Sequence, residues 1–594
     1  IKQGTNYAAT AGMRSCKILL ARAMASQMGT GANRWAVKIA DVSQAFLYAD
    51  VAEGMNTFVE APDEYYKLKN LNKENGVKVW RLKKALYGLR SSPMLWQCQL
   101  QRALEKLGFQ PDLQDPAVYV HPNGMMLVTH VDDFLIAGEQ TQVNDMMTEL
   151  GKEFKMTVKD ALDGKEHTFL GRSLQWIKPG HMVFGVGQKY IEEAFEELKL
   201  KKDPTAKKMP AWTKQPAEQV PLDEDLQSRY RSIIGKMVWL DRADIRPAVI
   251  RLGSQLGKAT ESDMKNAERV WSYLWETRGK TQMIYPMVMD QMDTLEEGGC
   301  LTMSDSDWAG GEAGERRSLS GMVSWVKIHG YMWPIHNGCR RQTLVALSSA
   351  EAELAGLVIA ATEGTGVMSL ARRMLGHRLE LGDTDKNLFI LAGDSTAAIA
   401  ISRKKGINKR NRHIEVRAMW LQHLIRTPGV SLQKVLGKKN WSDVLTKVDD
   451  WSMDHLYYLG IQDVPKSEDK KEVGAVRTAT EAGPKELSPR KEIQVKPLRG
   501  TQVLQERKPR QTLTLTQTAS LSVQARPGST SIPDHRSTAK TTTTSRKLTP
   551  PQRSTRSTWS RTSKCPTGDW YDGGCWSWWS RPWRSCWTRS WTYW

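Results

Sequence analysis

Two adjacent carboxylates, Asp132 and Asp133, stand between two short apolar runs, Met125 to Val128 and Phe134 to Ala137. Both runs are bounded and rich enough in branched residues to predict strands. Their spacing makes them the arms of a β-hairpin with the acids at its tip. Side chains alternate along a strand, so one carboxylate faces a cleft while the other faces aside or reaches round the turn. Two acids on a tight turn repel each other unless a cation lies between them, and a divalent metal is the usual partner of an oxygen-only cluster. An isolated Asp-Asp pair also reads as a solvated turn, so the rest of the chain must decide.

Upstream, apolar Met13, Cys16, Leu19, Leu20, Ala23 and Met24 recur at helical spacing, which predicts a helix over 13–28 ended by Gly29 and Gly31. Trp35, Val37 and Ile39 alternate with Ala36, Lys38 and Ala40, as in a half-buried strand that ends at Asp41. A carboxylate there is well placed for metal binding, although an Asp at a strand end is also a common helix cap. Over 79–96, Lys83, Lys84 and Arg90 flank a turn at Gly88, and Pro93 suits the first turn of the following helix. A basic loop with Tyr87 and Trp96 suits phosphates and stacked bases. The same letters also fit an ordinary loop and a core aromatic.

Three ordered segments resemble the reverse transcriptase of copia-type LTR retrotransposons. They are Asp41-Val-Ser-Gln-Ala-Phe-Leu, Leu82-Lys-Lys-Ala-Leu-Tyr-Gly-Leu-Arg with Pro93 and Trp96, and Val131-Asp-Asp-Phe-Leu-Ile-Ala-Gly. Phe169-Leu-Gly171 and Tyr230-Arg-Ser-Ile-Ile-Gly235 continue the match. The resemblance implies Asp41, Asp132 and Asp133 as catalytic metal ligands for Mg²⁺, or Mn²⁺, with two ions per site. It implies substrate contacts from Lys83, Lys84, Tyr87, Gly88 and Arg90. It places Phe46 where a bulky ring blocks a ribose 2′-OH; a core Phe is the other reading. His130 stands where the family has Tyr, and most of the family's basic fingers stretch has no counterpart ahead of Asp41. That departure predicts a chain that cuts hybrids better than it extends primers.

A second set of acids begins near Cys300. Leu301-Thr-Met-Ser-Asp305-Ser-Asp307-Trp308 reads as a strand ending in acids, and Leu388-Phe-Ile-Leu-Ala-Gly-Asp394 as another. Ser348-Ser-Ala-Glu351 is a capping box that opens a long helix through about Leu375, which gives Glu351 a local role and leaves Glu353 without one. Asp443 lies at a helix start, where an acid also complements the helix dipole. The segments around Asp305, Arg316-Arg-Ser-Leu-Ser-Gly321, Val345-Ala-Leu-Ser-Ser-Ala-Glu-Ala-Glu-Leu, Arg412-His-Ile-Glu-Val-Arg417 and Ser442-Asp-Val-Leu-Thr-Lys447 resemble the RNase H domain that follows reverse transcriptase in the same elements. Carried over, Asp305, Glu353, Asp394 and Asp443 are the metal ligands, and His413 sits near substrate phosphate or merely starts a helix. Asp307 and Glu351 are the neighbours most easily confused with the ligands.

The implied fold is α+β: a reverse-transcriptase palm over 1–185, a helical thumb and connection over 186–298, an RNase H-like α/β domain over 299–450, and a disordered basic tail over 465–594. Ser, Thr, Pro, Lys and Arg dominate that tail, which carries 24 Lys and Arg against 10 Asp and Glu, about +14 of the formal +20. The last 27 residues hold eight Trp, which reads as a stacking tail or as chance coding. Seven scattered cysteines suggest a reducing compartment. The chain opens on Ile1 without Met, as a fragment would. No signal peptide or apolar run of membrane-spanning length is visible, so no membrane is expected. The location is intracellular, a cytoplasmic particle or the nucleus.

The implied function is RNA-directed DNA synthesis coupled to cleavage of RNA in the RNA–DNA hybrid. Its partners are RNA template, DNA primer and deoxynucleoside triphosphates, with integrase and capsid parts of a parent polyprotein. The rivals are a catalytically dead relic that binds nucleic acid, and an RNase H nuclease with a vestigial palm.

Overall fold

A computed structural model describes residues 8–29, 34–51, 56–72, 76–201, 219–310, 316–378, 380–406, 415–448 and 452–465. The sequence readings on His413 and on 466–594 lie outside the described residues.

The first sheet is built in chain order from α1 (Met13–Gln27), β1 (Trp35–Val42), β2 (Phe58–Glu60), α2 (Asp63–Leu68), β3 (Val79–Arg81), α3 (Ser92–Lys106), β4 (Gln110–Pro111), β5 (Val118–Val120), β6 (Met126–His130), β7 (Asp133–Glu139), α4 (Gln140–Glu153) and β8 (Met156–Asp160). Six strands pair antiparallel in the order β4-β5-β6-β7-β1-β8, and β2 pairs with β3 apart from them. Here β1 departs from the half-buried strand that its alternation predicts. Trp35, Val37 and Ile39 pack in one core with Leu19, Leu20 and Met24 of α1, while Ala36, Ala40 and Val42 pack in another with Trp96 and Leu100 of α3 and Val143 of α4. Small Ala side chains read as a weak outer face, yet they are what lets α3 and α4 cover that side.

The chain continues through β9 (His167–Phe169), β10 (Arg172–Lys178), β11 (His181–Gly185), α5 (Gln188–Glu197), α6 (Glu224–Leu240), α7 (Arg246–Gly253), α8 (Glu261–Glu276) and β12 (Lys280–Ile284). The β10–β11 turn is Pro179-Gly180, with Gly180 at φ +78°. Helices α5 to α8 lie within the helical stretch expected over 186–298. Asp223 caps α6 through Leu226 N–H at 2.8 Å, and Thr260 with Asp263 forms a capping box on α8. Trp271 and Tyr273 are buried, and Tyr273 Oη donates to Asp244 Oδ2 at 2.6 Å. These rings pack the helices together.

The third part holds β13 (Leu295–Ser306), β14 (Leu319–Ile328), β15 (Tyr331–Arg341), α9 (Ser349–Met374), β16 (Asn387–Gly393), α10 (Thr396–Arg403), α11 (Glu415–Leu424), β17 (Val430–Lys434), α12 (Met453–Tyr458) and β18 (Ile461–Asp463). The sheet order is β15-β14-β13-β16-β17, with β13, β16 and β17 parallel and the rest antiparallel. At 26 residues α9 is long and apolar enough to cross a membrane, which corrects the reading that no such run exists. It lies on β13, β14 and β16, with more than half of its apolar window buried, the setting of a core helix. Far from its neighbours in sequence, β18 completes a separate five-stranded sheet, β18-β12-β11-β10-β9.

Candidate active sites

In the first sheet, Asp41 on β1 stands directly opposite Asp133 on β7. His130 pairs with Asp133 across the hairpin, leaving Val131 and Asp132 as its two-residue loop. A two-residue loop calls for positive φ, which Gly or Asn supplies cheaply, but here Val131 takes φ +61°. Trp96 Nε1 donates to the Val131 carbonyl at 2.6 Å, and Val42 N–H to the Asp132 carbonyl at 3.0 Å. Trp96 is fully buried, so it braces the acidic turn and is not free to stack a base.

The electrostatics match like charges held together. Burial, then Asp132 and Asp41, push the Asp133 carboxyl up to about 6, with Lys159 offsetting part. Asp132 is raised too, by burial and then by Asp41. Tyr87 is raised by burial and by Asp132 and Asp41, which places its exposed ring beside the acids. Its centroid lies 4.7 Å from that of half-buried Phe46, whose short 3₁₀ turn, Ala45–Tyr48, follows β1. Lys83, Lys84, Gly88 and Arg90 are exposed around it, with Lys84 paired to Asp50 at 2.8 Å and Gly88 at φ +97°. Burial holds His130 below its ordinary range, and its Nδ1 has no hydrogen-bond partner among the described residues.

The second site follows from parallel pairing. Ser304 on β13 registers with Gly393 on β16, so Asp305 and Asp394 sit side by side at the strand ends. Asp443 comes from a 3₁₀ turn, Asp443–Leu445, that Asn440 fastens to the sheet by donating Nδ2–H to the Ser304 carbonyl at 3.1 Å. Gly321 lets that turn approach, since a Cβ there would stand 2.6 Å from Leu445. Among the described residues, Asp305, Asp394 and Asp443 are the acids whose oxygens all lie within 4.8 Å of one another. Asp41, Asp132 and Asp133 do not gather this closely.

Glu353 lies on the first turns of α9. Burial, then Asp305, Asp394 and Asp443, push it up to about 9, so it belongs to the same field. Burial and then Asp305 push Asp443 up to about 7 against the pull of Lys447. Asp305 is raised by burial although Thr446 Oγ1 donates to it. The near neighbours separate cleanly. Asp307 Oδ1 accepts from Leu319 N–H at 2.5 Å and its other oxygen faces Arg251, while Glu351 accepts from Leu347 N–H at 2.8 Å and its own N–H donates to Ser348 Oγ. The expected capping box is thus displaced by one residue at its acidic arm. Thr446 and Asn440 escaped the sequence reading because neutral side chains leave no charge pattern; only their place beside Asp443 could have flagged them.

Asp443 Oδ1 is buried without a hydrogen-bond partner among the described residues, and three carboxylates converge on the same space. That donor set fits a divalent cation.

Residues 5–210 match the family model of the reverse transcriptase (RNA-dependent DNA polymerase). The retrovirus-related Pol polyprotein from transposon TNT 1-94 of Nicotiana tabacum is 26% identical over 422 residues, 69% of this chain and 29% of that protein. The chain is related to the copia-type retrotransposon polyproteins. The counterpart from transposon RE1 of Arabidopsis thaliana is 25% identical over 436 residues, 71% of this chain and 27% of its own length. The chain therefore spans under a third of the length of those curated proteins. Among solved structures, the foamy viral protease-reverse transcriptase in complex with RNA/DNA hybrid aligns at 12% identity and TM-score 0.40, over 73% of this chain and 47% of that one.

Proposed function

We propose that the chain is an RNA-directed DNA polymerase with its site at Asp41, Asp132 and Asp133, and a ribonuclease H with its site at Asp305, Glu353, Asp394 and Asp443. The observation that carries the reading is the presence of two carboxylate sets on two separate sheets, the second drawn together from three elements. Magnesium or manganese, two ions per site, would supply charge neutralisation and nucleophile activation when bound. The rest falls to the chain. Asp305 is oriented by Thr446, and Asp443 by Lys447 at 2.5 Å. In the first site the Val131 turn fixes Asp132 and Asp133, Phe46 backed by Tyr87 meets the sugar of an incoming deoxynucleotide, and Lys83, Lys84 and Arg90 beside Gly88 meet phosphates of the RNA template and DNA primer.

One observation favours a second reading, a nuclease whose palm only grips the hybrid: the first three acids do not close into a tight group. Primer extension and hybrid cleavage by one preparation, with Asp305→Asn as nuclease control, separate the two. Cleavage without any extension supports the second reading; extension with cleavage lost in the control supports the first.

A further inference from the structure

The helix that carries Glu353 is held at two later points by the polymerase half. Glu363, ten residues on, is buried; Arg14 of α1 and Arg340 of β15 each bind one of its oxygens. Arg14 also lies 3.0 Å from His336 Nε2 of β15. Ten residues further, Arg373 grips Asp112 through Nε at 2.5 Å and Nη2 at 3.2 Å. Asp112 precedes β5 of the first sheet, and its side chain is only 4% exposed. Burial alone would raise its carboxyl, but Arg373 and the N–H groups of Asp115 and Gln114 hold it below the usual range. Its neighbour Asp115 accepts from Ser15 Oγ of α1 at 2.8 Å, which ties the two anchors together. Between the anchors Val367 and Met368 of α9, and ahead of the first anchor Leu357 and Ala361, share one apolar core with Leu19, Leu20 and Met24 of α1.

At 1.5 Å per residue the anchors stand about 15 Å apart along one rod. One anchor would allow α9 to pivot; two oppose sliding and rotation together. We propose that Arg14 and Asp112 are positioning residues that clamp α9, and through it Glu353, to the polymerase half, so that RNA is cut at a set distance from the primer end. The proposal rests on the two-site reading above.

The test compares the wild-type chain with an Arg14→Gln, Asp112→Asn double variant, in which the substituted amide oxygen keeps an acceptor for the Gln114 and Asp115 N–H groups. Cut positions are mapped on a hybrid with a recessed DNA primer, and backbone hydrogen exchange is followed over residues 360–374. The wild type should cut in one dominant window. The double variant should lose that window while still cutting a long hybrid that has no recessed end, and its α9 amides should exchange about tenfold faster. An unchanged window with unchanged exchange in the double variant overturns the clamp. If the wild type cuts no hybrid, the nuclease reading fails, and the exchange rates still decide the clamp.

Discussion

Asp443 has one oxygen on Lys447 and the other buried with no partner among the described residues. Its carboxyl is pushed up to about 7 and that of Glu353 to about 9, first by burial and then by neighbouring acids. Both groups bind a proton more tightly folded than unfolded. Their contribution to stability is therefore complete below the ordinary carboxylate range and is lost as pH rises through about 7 and then about 9. In chelator, the melting temperature of the wild type should fall relative to Asp443→Asn across that window. Mg²⁺ or Mn²⁺ should restore it most at the alkaline end, where the ligands are deprotonated. Parallel melting curves for the two chains, with or without the ion, would contradict this. In the first site, Phe46→Ala opens the space beside Tyr87, so ribonucleotide incorporation should rise relative to deoxynucleotide in single-nucleotide extension. An unchanged ratio in an active variant would make Phe46 a packing residue. The resemblance singled out Asp305 and Glu353 and the capping motif gave Glu351 a local role, but nothing in the sequence set Asp307 aside. That distinction lies in Leu319 N–H, a contact twelve residues away that no local pattern records.

The helix α9 holds a paired experiment. A Cβ at Gly364 would collide with Thr302 Oγ1 and stand 2.6 Å from the Phe389 ring, whereas one at Gly366 meets nothing within 4 Å. Replacing a helical Gly by Ala gains about 1 kcal/mol from backbone entropy, while overpacking a tight contact costs about 1–3 kcal/mol. Gly366→Ala should raise the denaturation midpoint and Gly364→Ala should lower it; equal shifts would mean that α9 does not sit this closely on β13. Elements with a clear local signal were legible: α1, α9 and the β6–β7 hairpin fall close to where the sequence puts them. Less legible was β1, because Ala36 and Ala40 look like an open face until α3 and α4 are seen to cover them. The sheet that joins β9, β10 and β11 to β12 and β18 was not legible at all. Its pairing of Met182 with Ile284 and of Lys280 with Asp463 comes from long-range packing, not from any turn.

Across the whole molecule, the ordered segments imply two sites, and the folded sheets hold the two sets of acids differently. The second gathers three carboxylates because parallel strands end side by side; the first spreads them over a strand, a turn and a strained Val131. If the sites act separately, each should fall with its own acid. The direct measurement is primer extension and RNA–DNA hybrid cleavage by the wild type, Asp133→Asn and Asp394→Asn, each confirmed folded. Extension should vanish in Asp133→Asn with cleavage nearly intact, and cleavage should vanish in Asp394→Asn with extension nearly intact. Loss of both activities from either single substitution in a folded chain would contradict the two-site account.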